Sequence, residues 1–466
     1  MSTTNSLRPL PCRTGPLIGV RESIAYLRDP DGFIAERHQQ FGPVFGTTLF
    51  FRPTAVVGGP DAVEQFIRLE RSISESALPA AFTALHTADG ALNQAGEKHR
   101  STRRGYSALF SPTNLESYLP LINRCMVQFT SSIAQHGSTC IALDAKHLCL
   151  NLYSELFAGE SLTKDEIEAF ISYNDALLSL SKQLPSFRKG EKALAALQQS
   201  MEVRLGKYRR GELDGACFRI FTDNLDEHGQ PWSDERIATA TVLMVWGAYI
   251  EVASLMASCL IQTKHRLDVR DQVLEEARNH NLESPDTPAH LAAWDLPFVQ
   301  GVLRESLRLL PPAGGGFRIT SEDIEVSGYR IPAGTVVTAD PRIGNAMSAL
   351  FPEPQSFAPE RWMSDFDLNG NLKQGPGCPF AGSALRLPKE GWFPGGIGKH
   401  GCPGLPLAEL SVRVFLVRWM QTIQHWEADS DQAESIPYTL VPIRIPRDSY
   451  RFNVVPVPRD SILGGL

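Results

Sequence analysis

The sequence predicts a mainly α fold with a minor β portion (α+β), and three observations carry that reading. Residues 232–265 form a helical pattern of roughly 30 residues, about 45 Å at 1.5 Å per residue. Most of 96–215 repeats apolar side chains at helical spacing. Strand-like alternation occurs only in short pieces, at 44–57, 317–342 and 438–457.

Taken in order, residues 18–41 have helical spacing. The run VFGTTLFFRPTAVV at 44–57 reads as two short strands around a turn at Arg52-Pro53. A helix opens at 60–69. Residues 70–96 are rich in Ser, Ala, Thr and Gly and read as a long loop, and loops of that length are often functional lids. Ser233 is placed to cap the long helix, with Asp234 and Glu235 in its first turn. Another amphipathic helix, at 296–310, stops at Pro311-Pro312. Residues 343–400 are rich in Pro and Gly and read as irregular. No linker divides the pattern, so one domain over 1–466 is expected. Its β-rich parts are about 40–60, 317–342 and 438–457, and its helical body is about 60–310 and 403–425.

Hydrophobic residues make up 42% of the 466, ample for a large core. The formal charge of −7 is spread out with no basic tail, which argues against a nucleic-acid binder. The first 30 residues hold no apolar run of signal-peptide or anchor length. Eight cysteines (Cys12, Cys125, Cys140, Cys149, Cys217, Cys259, Cys378 and Cys402) are scattered without a CxxC pair. That argues against a disulfide framework or structural zinc and fits a reducing compartment. A cytoplasmic protein without a membrane anchor is expected.

The chemistry concentrates in WFPGGIGKHGCPGLPLAELSVR, 392–413. Gly395, Gly396, Gly398 and Gly401 lead to Cys402, and an apolar-faced helix begins just after Gly404. A thiol at a helix start meets unpaired N–H groups and positive potential, both of which favour the thiolate. Two further motifs precede it. Glu305 and Arg308, at i and i+3, share one helical face among Leu303, Leu307, Leu309 and Leu310. The turn Pro359-Glu360-Arg361-Trp362 is able to bring Arg361 against Glu305. A buried carboxylate between two arginines is tolerated only when fully hydrogen-bonded.

The order E-x-x-R, P-E-R-W and G-x-x-x-C-x-G resembles the cytochrome P450 family, of the soluble bacterial type. Further likeness lies in Phe41-Gly42-Pro43-Val44-Phe45, in 96–104, in Leu307 to Arg318 and in Phe351-Pro352-x-Pro354-x-x-Phe357, so it covers roughly 15–460. The resemblance implies that Cys402 is the axial ligand of a haem b (iron protoporphyrin IX) iron. Cys378 also sits among Gly and Pro but lacks the flanking glycines and the following helix. The resemblance gives the propionates His99 and Arg103, then Arg318 and His400, as partners, with Phe393 and Gly396 in the cysteine loop. His400 stands where the family usually has Arg.

Two positions depart from the family. Its usual Phe, seven residues before the cysteine, is Gly395 here, so either Phe393 takes that place or the sulfur is more open. In the long helix the usual acid–Thr pair is Glu251-Val252. Val252 has no hydroxyl to help deliver protons to dioxygen, which leaves Glu251, water or substrate. By the same likeness Phe82, Leu85, Leu178, Gly247, Ala248, Phe317 and Ile443 wall a substrate pocket, with His86 nearby, and Gly314-Gly315-Gly316 leaves room for a wide, flat molecule.

The expected function is monooxygenation of an apolar or aromatic small molecule, in secondary metabolism. Electrons would come from a separate ferredoxin- or flavodoxin-type donor, because no flavin or iron–sulfur module is present in the 466 residues. A basic patch of Lys98, Arg100, Lys399 and Arg413 would receive that donor. The protein is expected to be a monomer. Oxidative radical coupling of a phenol or indole is the alternative that Val252 favours. A reductant-independent peroxide isomerase or dehydratase is a second alternative.

Overall fold

The computed structural model describes residues 7–458 apart from 70–72, 178, 180, 283, 285–289, 364–389, 430–435 and 441–442. Helices dominate, and the longest, Asp234–Thr263, is the central helix. Ser233 caps it by accepting a hydrogen bond from the Arg236 N–H at 3.2 Å. Its residues are apolar on nearly every side because other helices surround it. It is also long and apolar enough to cross a membrane, but 72% of its most apolar stretch is buried inside the protein.

The principal sheet has five strands, in the order Val44–Leu49, Arg52–Val57, Val336–Ala339, Phe317–Thr320 and Ile73–Ser76. The second and third are parallel and the other neighbours antiparallel. Three smaller sheets are also present among the described residues. The main core lies among the helices, and two smaller clusters back the sheet.

Several expectations shift. Residues 18–41 are two helices, Ile18–Arg28 and Pro30–Phe41, parted at Asp29, which caps the second. The first hairpin turns at Phe50-Phe51, both at positive φ, because Arg52 and Pro53 already belong to the returning strand. The stretch 70–96 is not a plain loop, for it contains the strand Ile73–Ser76 and a short lid helix, Ala80–Leu85. The cysteine helix, Leu405–Thr422, ends earlier than its apolar spacing suggests, since Ile423–Ala428 is a strand paired with Phe452–Pro456.

Candidate active site

The carboxylate of Glu305 is the most completely bonded acid near the site. On the ion-pair helix, Pro297–Leu309, it accepts from Arg308 Nη2 at 2.7 Å and Nε at 2.9 Å. It also accepts from Arg361 Nε at 2.9 Å, Trp362 Nε1 at 2.8 Å and the Ala358 N–H at 3.1 Å. Arg308 spends its remaining donors on the carbonyls of Asn345, Pro354 and Ser356. Gly301 lets the turn at 359–362 approach, since a β-carbon there would lie 2.6 Å from the Pro359 oxygen. A buried ion cluster survives when every donor and acceptor is used, and here it joins three segments rigidly.

Beside it, the cysteine loop is shaped by Gly396 and Gly398, both at positive φ. The Cys402 N–H donates to the Gly395 oxygen at 2.6 Å, and Arg103 Nη2 donates to the Gly401 oxygen at 2.7 Å. The Cys402 thiol is accessible, but to an interior space and not to the outside. Burial pushes it up to about 11, and Glu251 adds to the rise. The N–H groups of Gly404 and Leu405, with Arg103, pull the other way. The helix-start effect is present and opposes burial. Metal coordination supplies what the fold alone does not.

Phe393 lines one cavity together with Cys402. It is buried in the sheet-side cluster with Val57, Val337 and Ala339. Leu405 fills the room beside Gly395, for a β-carbon there would lie 3.0 Å from its side chain and 3.3 Å from Cys402 Cβ. Phe110 lies against Gly404 on the same side as the sulfur. Neither Leu405 nor Phe110 was singled out from sequence, because both read as ordinary core.

A cationic cluster borders the loop. His99 and His400 stack with ring centroids 4.0 Å apart. Burial, then Arg103, Arg318 and Lys399, lower His99 to about 4. Burial, then Arg318, His99, Arg103 and Lys399, lower His400 to about 3. The charges that lower these rings are all positive, a setting that suits an anion. A thiol facing an interior space beside such a cluster fits haem, whose iron Cys402 would hold and whose propionates His99, Arg103, Arg318 and His400 would meet.

Across that space lies Glu251, on the central helix. Its side chain is accessible although the helix is buried on either side, which again marks an interior wall. Burial raises its carboxyl to about 7. Val252 is buried, Ala248 is half-buried, and nothing lies within 4 Å of a β-carbon built on Gly247. Phe82 is buried in the lid helix, stacked on His86 with both against Trp246. Leu85 turns away, packing against Gly190 of the helix Pro185–Arg209. Phe317 is half-buried and Ile443 buried. Leu178 and Cys378 lie outside the described residues.

Two expectations are corrected. The glycine run opens room only at Gly316, because Gly315 abuts the Ala339 oxygen and Gly314 the Arg342 side chain. The basic patch does not form. Lys98 pairs with Asp89 at 3.0 Å, Arg100 pairs with Glu97, and Arg413 donates to the Trp294 oxygen at 2.7 Å. Lys399 belongs with the cationic cluster instead. A cavity of about 710 Å³ opens at the cysteine loop, lined by Cys402, Phe393, Gly395, Leu115, Glu409 and Arg413 among others, and the central helix does not line it.

The comparisons agree with this geometry. Residues 9–452 match the family model Cytochrome P450. The chain is 27% identical to "Putative cytochrome P450 120" of Synechocystis sp., over 97% of both. It is 26% identical to "Cytochrome P450 26B1" of Homo sapiens, over 93% of this chain and 84% of that one. The solved structure of retinoic acid bound cyanobacterial CYP120A1 superposes with a TM-score of 0.81 at 27% identity, over 97% of this chain and 100% of that one. The heme domain of cytochrome P450DA shares the fold, with a TM-score of 0.80 at 17% identity, over 97% and 98%. The chain belongs to the cytochrome P450 family, the haem-thiolate oxidoreductases that carry haem b.

Proposed function

We propose that this chain, a single cytoplasmic catalytic domain acting as a monomer, inserts one oxygen atom of dioxygen into an apolar or aromatic small molecule of secondary metabolism. The observation that carries this reading is Glu251. It is an acid on an otherwise apolar stretch of the central helix, open to the space that Cys402 faces, and burial holds its carboxyl near 7. An acid poised near the working pH suits proton delivery. Haem supplies the oxygen chemistry when bound, with electrons from a ferredoxin- or flavodoxin-type donor. Glu251 passes protons inward through water, in place of the hydroxyl absent at Val252. Gly247 and Gly316 leave space for the substrate, and Phe82, Ala248, Phe317 and Ile443 give it apolar surface. A relative solved with retinoic acid bound supports a hydrophobic substrate class.

The test is turnover with a ferredoxin system under labelled dioxygen, after a screen of apolar acids and aromatics for a haem spectral shift. One labelled oxygen in the product is expected. Val252 favours a second reading, radical coupling of phenols or indoles, and an unlabelled dimer as product would select it. Turnover of a hydroperoxide without reductant would overturn both. Cys402→Ala should abolish the carbon monoxide band of a thiolate-bound haem, and Cys378→Ala should leave it intact.

A further inference from the structure

One wall of the cavity at the cysteine loop is a stripe of the cysteine helix. Leu405, Glu409 and Arg413 stand four residues apart and so share a face. Another wall is the loop itself, where Gly395, Gly396, Gly398 and Gly401 present bare backbone. Apolar side chains make up much of the rest, among them Leu115, Leu291, Trp392 and Phe393. Neither Glu251 nor any of His99, Arg103, Arg318 and His400 lines it. The cavity is therefore distinct from the space where haem and substrate are placed, although Cys402 borders both. A volume of about 710 Å³ is ordinary for a small-molecule pocket.

Two polar side chains in this wall are left incomplete. Glu409 is 7% exposed, and its Oε1 has no hydrogen-bond partner. Gln300 bonds the carboxyl, and Arg304 and Arg413 act on it through their charge. Arg413 donates from Nη1 to the Trp294 oxygen at 2.7 Å, but its Nε is buried without a partner. Glutamate and arginine at i and i+4 ordinarily pair, yet these two do not complete each other. A buried acceptor and a buried donor left open both cost stability, so each calls for a reason. Glu305 makes the contrast plain, since it accepts five hydrogen bonds within the fold.

We propose that this cavity binds a small molecule with a flat apolar body and a carboxamide end, its N–H donating to Glu409 Oε1 and its carbonyl accepting from Arg413 Nε. An unused acceptor and an unused donor one helical turn apart match the two sides of a single amide. A carboxylate ligand would bring Glu409 no proton, and it would meet a second acid, Asp295, in the same wall. An amine would leave Arg413 unanswered. The rings of Trp392 and Phe393 and the bare glycine backbone suit a flat body. The molecule has a site of its own and does not compete with substrate. Nothing in this proposal rests on the monooxygenation reading, because binding is measured without turnover.

The test is equilibrium dialysis of the haem-loaded full chain with naphthamide, with an azole held on the haem iron to close the substrate pocket. One equivalent of naphthamide should be retained. Naphthalene and naphthoate should bind on the order of ten-fold more weakly, the first lacking the amide and the second repelled by the two acids. Leu291→Trp fills the cavity from its wall and should abolish binding while keeping the carbon monoxide band. Glu409→Leu should weaken naphthamide on the order of ten-fold and leave naphthalene unchanged. The cavity-filling variant decides the matter if Glu409→Leu fails to fold. The proposal is overturned if naphthamide is not retained, or is retained only when the azole is left out. It is equally overturned if naphthalene binds as tightly, or if the folded variants bind naphthamide as the wild type does.

Discussion

Two charge clusters flank the cysteine loop, and they are built on opposite principles. Glu305 accepts five hydrogen bonds, and its partners tie the ion-pair helix to the segments at 345–361. The cluster of His99, His400, Arg103, Arg318 and Lys399 gathers positive charge, and every charge acting on its imidazoles repels their protonation. A carboxylate saturated with hydrogen bonds is a scaffold, whereas a gathering of like charges suits an anionic ligand. On this contrast Glu305 and its partners hold three segments together, and the cationic cluster would hold the cofactor.

The sharpest way to break the contrast is to remove the scaffold's acid. Glu305→Ala strands two guanidinium groups and should cost about 3–5 kcal/mol, measured by denaturant unfolding. A loss below about 1 kcal/mol would mean the cluster is ornamental. His86 offers a control without charged neighbours, since burial alone lowers it to about 4. The unfolded chain takes up its proton near pH 6.5 and the folded chain only near 4, so stability should fall as pH drops through that window. The limit is about 3 kcal/mol. Unfolding of wild type and His86→Phe across pH 4–7 checks this, and the variant should lose that part of the slope.

Smaller effects sharpen the cofactor side. Glu251→Gln should cut coupled product formation about a hundred-fold, with haem content unchanged and reductant diverted to peroxide. Equal coupling in the variant would move proton delivery to water or substrate. Arg103→Gln should speed haem transfer to an apoglobin acceptor about ten-fold. Slower transfer, or none beyond wild type, would remove Arg103 from that side.

Local patterns in the sequence foretold the elements that depend on local chemistry. Glu305 and Arg308 share a helical face, Ser233 caps its helix, and Cys402 precedes one, all within a few residues. What was hidden depends on distant packing. The His99–His400 stack joins two remote segments, and Leu405 fills the room beside Gly395 only because the loop folds back. Asp89 and Glu97 neutralise Lys98 and Arg100, which dissolved the expected basic patch. Pro53 drew the turn to the wrong place, because Phe50-Phe51 lacks the usual turn residues. Burial outweighs the helix start at Cys402, a balance that no spacing reveals.

Gly247 and Gly316 are the two candidate pocket positions where an added β-carbon meets nothing within 4 Å. Neither has positive φ, so alanine fits the backbone at both. In the central helix, Gly247→Ala should even gain roughly 0.5–1 kcal/mol from the lost flexibility. Each glycine is therefore a dial on the size of the accepted molecule that turns without cost to folding. A lineage carrying this fold can change its diet by single methyl groups while the machinery around Cys402 stays untouched.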